Sequence, residues 1–75
     1  MDVLAQITEQ EVTVSGQLPA GFLFASIKNI GTAAATVNGV TLVPGEAKSY
    51  PFVGKGYQSI AFDPNGSTLR IMQII

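Results

Sequence analysis

The sequence contains no cysteine, no histidine and no tryptophan. Without cysteine no disulfide can staple the fold, and without cysteine or histidine neither of the usual zinc ligands is present. The same absences remove the side chain that titrates nearest neutral pH and the most reactive common nucleophile. Charge is scarce as well. Only 12% of residues are charged, against about 25% in a typical soluble domain. The four basic residues, Lys28, Lys48, Lys55 and Arg70, are scattered, and the formal net charge is -1. No basic run exists to neutralise a series of phosphates, so nucleic acid is excluded as a partner. Uninterrupted apolar runs are only a few residues long, far short of the roughly 20 that a spanning helix needs, so no membrane partner is expected. Met1 is followed by Asp2 rather than a basic region, and glutamates and glutamines interrupt the first ten residues. This opening gives no secretory leader, and a cytoplasmic setting is expected.

What is present is a chain of 75 residues that is 47% hydrophobic. The length fits one β domain over residues 1–75, with residues 1–10 as an N-terminal arm or first strand. A core of this size supplies only about 3–5 kcal/mol of net stability. A small domain also has more surface per residue and needs more polar side chains, not fewer. The scarcity of charge therefore leaves two explanations: a surface built from Thr, Ser, Asn and Gln, or, the preferred reading, surface buried against other copies or other proteins.

Turn chemistry divides the chain into short strands. Asn38-Gly39, between Ala35-Thr36-Val37 and Val40-Thr41-Leu42, is the sequence of a type I′ hairpin, whose two central residues need positive φ. Pro44-Gly45 fits the centre of a type II turn. Asp63-Pro64-Asn65-Gly66 forms another turn, with Gly66 in the left-handed region. Gly16–Gly21 reads as a loop, because two glycines and a proline fall within six residues. Between these breaks, strands are expected over 3–8 (or an extended arm), 11–15, 22–30, 33–37, 40–43, 47–52, 57–62 and 68–75. The longest of these is 22–30: Phe22, Phe24 and Ser26 would share one face and Leu23, Ala25 and Ile27 the other. The closing Ile74-Ile75 implies a last strand that is paired and buried. The fold class is all-β: a compact antiparallel sandwich or barrel of six to eight short strands.

One pattern is more particular. Ile27, Asn29 and Gly31 are followed by Val37, Asn38-Gly39-Val40, then Leu42, Pro44-Gly45-Glu46, then Tyr50 and Phe52. This resembles the core of small immunoglobulin-like β-sandwich modules, which carry N-x-G, a short hydrophobic strand, and L-x-P-G-E before an aromatic-ended strand. The likeness covers about a third of the chain. The paired cysteines and core tryptophan of secreted immunoglobulin domains are missing. The whole chain, with its closing Asp-Pro-Asn-Gly-Ser-Thr-Leu-Arg-Ile, is also similar in size and style to short virion proteins of tailed bacteriophages. That resemblance implies a structural subunit of a head, tail or fibre, assembled in the host cytoplasm.

The candidates for chemistry reduce to ordinary structure. Glu9 and Glu11 share a strand face, which reads as a solvated edge rather than an acid–base pair. Asp63, Asn65 and Ser67 have the oxygen spacing that opens some calcium loops, but no bidentate glutamate follows at the required distance. Gly54-Lys55-Gly56 lacks the strand, longer glycine loop and helix of a phosphate-binding loop. Ser15 and Ser59 have no base to activate them. No catalytic residue, metal site or cofactor is therefore expected, and the chain reads as a non-enzyme. The six aromatics read mainly as core, with Tyr50 and Tyr57 able to stack on a sugar or partner from either side of the 51–56 loop.

Two readings of function remain. In one, the chain is a structural subunit that contacts itself and other particle proteins through Leu4, Ile7, Phe22, Phe24, Met72, Ile74 and Ile75, apolar residues on faces that a single small core need not cover. In the other, it is a monomeric module that binds carbohydrate or peptide through loops 17–21 and 53–56.

Overall fold

A computed structural model describes residues 4–75. Eight strands run as β1 (Ile7–Val12), β2 (Gly16–Leu18), β3 (Phe24–Asn29), β4 (Ala35–Val37), β5 (Val40–Leu42), β6 (Ala47–Tyr50), β7 (Ile60–Asp63) and β8 (Leu69–Ile74). They form two four-stranded sheets, ordered β1-β8-β3-β6 and β2-β7-β4-β5. Every pairing is antiparallel. The all-β reading is correct, and two separate sheets make it a sandwich rather than a barrel.

The turns take the conformations their residues demand. Asn38 and Gly39 have φ of 52° and 77°, the signature of a type I′ hairpin between β4 and β5. Across Pro44-Gly45, the amide of Glu46 donates to the carbonyl of Val43 at 3.0 Å, with Gly45 at φ 84°, as a type II turn requires. Asn65 and Gly66 both have positive φ, and Ser67 N–H closes that turn onto Pro64 O at 2.9 Å.

Alternation along the strands builds the core. On β3, Ala25, Ile27 and Asn29 point inward; on β8, Leu69, Ile71 and Gln73 do the same. These six residues are direct cross-strand partners. Leu18, Ala35, Val37, Leu42, Ile60 and Phe62 meet them from the other sheet, and all are buried. Burying a Leu, Ile, Val or Phe side chain contributes about 1.5–3 kcal/mol each, so this layer is what holds the two sheets together.

Several boundaries differ from the sequence reading. Residues 16–18 form a strand, not a loop, because Gly16 lies opposite Phe62 and a β-carbon there would stand 3.1 Å from the ring. The expected strand over 11–15 stops at Val12; Val14 lies at the bend and is exposed. The N-terminal strand begins at Ile7, while Val3 and the rest of the proposed arm before residue 4 lie outside the described residues. Phe22 precedes β3 rather than belonging to it. The chain turns at Gly21, with φ 102°, and bends again at Leu23, between Phe22 and β3, where the alternation counted from Phe22 is broken. β8 is paired on both sides, by β1 and β3, but Ile75 lies past the sandwich and stays 54% exposed.

One polar residue organises the junction between the sheets. Asn29 is fully buried. Its side-chain amide donates to Ala33 O and Leu42 O, both at 2.8 Å. Its Oδ1 accepts from Gly31 N–H at 3.1 Å and from the Ser67 hydroxyl. Its backbone N–H donates to Glu46 O, and its carbonyl accepts from Gly45 N–H. Each polar group of the residue thus has a partner, the condition under which a buried amide stabilises rather than destabilises. Gly31 is glycine for a steric reason: a β-carbon would lie 2.1 Å from Ser67 Oγ and 2.6 Å from Thr68 N.

Candidate interaction surface

The outward face of the sheet β1-β8-β3-β6 can be read row by row from its register. At one end Ile7, Ile74 and Phe24 stand side by side across three strands. The next row is Glu9, Met72, Ser26 and Ser49, and the third is Glu11, Arg70, Lys28 and Ala47. The face therefore grades from apolar to charged along the strands. In the charged row, the Arg70 guanidinium donates to Glu11 Oε2 at 2.9 Å from one nitrogen and 3.2 Å from another. Lys28, the cross-strand neighbour of Arg70, adds a second positive charge, which Glu9 in the adjoining row balances. A surface concavity lined by Glu9, Gln10, Glu11 and Arg70 lies on this charge-compensated part.

The apolar row is only partly covered. Phe24, Met72 and Ile74 shield one another and are half-buried, whereas Ile7 is 63% exposed. Leu4 and Ile75 are exposed just beyond the row, where Gln6 and Ile75 exchange backbone hydrogen bonds of 3.1 and 2.9 Å. Of the seven contact residues expected from sequence, Ile7, Phe24, Met72 and Ile74 are brought together on one face, with Leu4 and Ile75 at its end. Phe22 is the exception. It is 1% exposed and belongs to the core. It stacks on Tyr57, with ring centroids 5.1 Å apart and planes at 9°, and meets Tyr50 edge-on at 6.5 Å.

That packing also decides the fate of the two tyrosines. Tyr57 has one ring face against Phe22, and its hydroxyl donates to Pro51 O at 2.7 Å. Tyr50 lies edge-on to Tyr57 at 5.7 Å, with the Lys48 ammonium 5.6 Å from its ring centre. Its hydroxyl is buried and has no hydrogen-bond partner among the described residues. Backbone bonds from Gly21 N–H to Tyr57 O and from Tyr57 N–H to Phe22 O fasten the loop beside the start of β3. Both rings are thus largely committed to internal packing.

The sequence reading placed Val53 in a binding loop but missed Phe52; the two are 60% and 63% exposed at the tip of this loop. Phe52 had read as core. β6 ends at Tyr50 because Pro51 has no N–H for the ladder, and with the ladder gone Phe52 follows no sheet face. Pro51 was the available signal. Residues 51–56 leave the sheet opposite Ala25 and return at Gly21–Phe22, so this loop flanks the same end of the sheet as Ile7, Ile74 and Phe24.

The oxygens considered for calcium are committed to the fold. Asp63 Oδ1 accepts from Asn65 N–H at 3.0 Å, and the Ser67 hydroxyl is buried against Asn29. Ser59 Oγ lies within hydrogen-bond distance of Gln17 Oε1 and Leu18 O, so it fastens β2 to the start of β7. Among the described residues no helix is long and apolar enough to cross a membrane. No protein-family model, curated protein or solved structure gives a match to this chain.

Proposed function

We propose that the chain is a non-enzymatic structural subunit of a larger assembly, acting through self-association and protein–protein contacts. The setting is a bacteriophage particle, as a capsid decoration, head fibre or tail component assembled in the host cytoplasm. The observation that carries the contact role is the outward row Ile7–Ile74–Phe24, with Met72 beside it, on a sheet whose first strand has an open edge. Contiguous exposed apolar surface and an open sheet edge are both features that partners cover. Low charge over the whole chain supports the same reading. The phage setting and the immunoglobulin-like affinity rest on the sequence resemblances.

Light scattering over a range of concentrations tests the proposal. A discrete oligomer that persists on dilution is the expected result. A monomer at every concentration would overturn self-association. Phe52 and Val53 favour a second reading, a monomeric module that binds carbohydrate or peptide through the 51–56 loop. Phe52→Ser would then abolish ligand binding while leaving the mass unchanged.

A further inference from the structure

The open edge of β1 carries information about how two copies would meet. In the ladder with β8, Gln6 and Ile75 exchange both backbone bonds. Antiparallel ladders alternate, so Thr8, Gln10 and Val12 also spend their backbone groups on β8, and the N–H and C=O of Ile7, Glu9 and Glu11 point to the open side. No strand among the described residues pairs there. β1 is also the strand least covered by the other sheet: all its residues but Val12 are exposed.

From this edge we infer that β1 pairs with β1 of a second copy, antiparallel across a two-fold axis at Ile7, merging two four-stranded sheets into one. The inference rests on the self-association proposed above and specifies its geometry. Registers that set Ile7 opposite an even-numbered residue are excluded, because they mismatch the free backbone groups and send the apolar rows to opposite faces. Registers centred between Glu9 and Glu11 place carboxylates opposite carboxylates, which is repulsive. Centring on Thr8 sets Ile7 against a glutamate. Centring on Ile7 has none of these faults. Ile7 meets Ile7 of the other copy, and Glu9 meets the small side chain of Ala5. Gln6 meets Thr8 on the reverse face. The row Phe24–Ile74–Ile7 then continues without a break as Ile7–Ile74–Phe24 of the second chain. Such a contact is isologous and closes on itself, as a two-fold dimer must.

The absence of cysteine makes the register directly testable. Ile7→Cys and Glu11→Cys each introduce a single thiol at an exposed strand position. In the Ile7-centred dimer the two position-7 residues face each other at about 5.5 Å between α-carbons. The two position-11 residues are eight strand positions apart, about 27 Å. A short bismaleimide at low protein concentration should cross-link Ile7→Cys to a covalent dimer in at least tenfold higher yield than Glu11→Cys. As a second measurement, Ile7→Asp should dissociate the dimer, whereas Glu9→Lys should leave its mass unchanged. Equal or absent cross-linking of both cysteine variants, in a chain that still scatters as an oligomer, would overturn the β1 pairing alone. A wild-type chain that is monomeric throughout would overturn self-association, and the pairing with it.

Discussion

The two ends of the sandwich are built on opposite terms. At the Asn29 end, where β3 finishes and β8 begins, a buried amide has a partner for each of its polar groups, and three stretches of chain, 31–33, 42–46 and Ser67, converge on it. At the other end, where β1 and β3 begin and β8 finishes, apolar side chains are left in solvent and, among the described residues, a buried tyrosine hydroxyl has no partner and a strand edge stands open. The first end closes the fold. The second has surface to spare for contact with another chain. The difference teaches that in so small a domain the polar junction carries the specification of structure, which leaves the far end free to carry function.

Substitutions should separate the two ends sharply. Asn29→Ala is the largest effect expected. It leaves the carbonyls of Ala33 and Leu42, the amide of Gly31 and the Ser67 hydroxyl without their partner, at about 1–3 kcal/mol for each that stays buried. That exceeds the ~3–5 kcal/mol available to a core of this size, so urea titration followed by circular dichroism should find no folded baseline. Phe22→Ala comes next, at about 3–5 kcal/mol, the usual cost of removing a buried phenyl ring. Because Phe22 touches both tyrosines, the loss should also appear as a change in tyrosine fluorescence. Gly31→Ala should cost about 1–3 kcal/mol or more from overpacking. Removing the Ser67 hydroxyl as well should not rescue it, since the Thr68 backbone nitrogen is also in the way.

At the open end the signs change. Tyr50→Phe removes a buried hydroxyl that has no partner among the described residues, so stability should stay level or rise by up to about 1 kcal/mol, visible as a higher midpoint in the same titration. On the exposed charged row beside the Asn29 end, Arg70→Ala should move it least, by about 0–1 kcal/mol, because the pair with Glu11 is exposed and salt screens it. A large loss for Tyr50→Phe, or a small one for Asn29→Ala, would erase the contrast between the ends.

Much of the fold was legible because turns declare themselves locally. Asn38-Gly39, Pro44-Gly45 and Asn65-Gly66 each took the backbone their residues allow. The N-x-G and L-x-P-G-E pattern behind the immunoglobulin-like resemblance turns out to be the junction itself: Asn29 and Gly31 form its turn, Leu42 accepts from it, and Glu46 Oε1 caps Val43 N–H at 3.0 Å. The contacts of Asn29 were not legible, since they join residues up to 38 positions apart. Strand phase was readable only along unbroken strands, up to the bend at Leu23 on one side and Pro51 on the other. Ile7, Phe24, Met72 and Ile74 were placed on a shared face, whereas Phe22, before the bend at Leu23, and Phe52, after Pro51, exchanged roles, the first entering the core and the second leaving it.

Backbone amide exchange, resolved by residue at two protein concentrations, tests the division of labour most directly. The amides of Asn29 and Gly45, which bond within the chain, should be protected at both. Those of Ile7 and Glu9, on the open edge of β1, should be protected at the higher concentration and released on dilution. Fast exchange of Ile7 and Glu9 at both concentrations, at the rate of an unstructured peptide, would contradict the assignment of this edge to a partner chain.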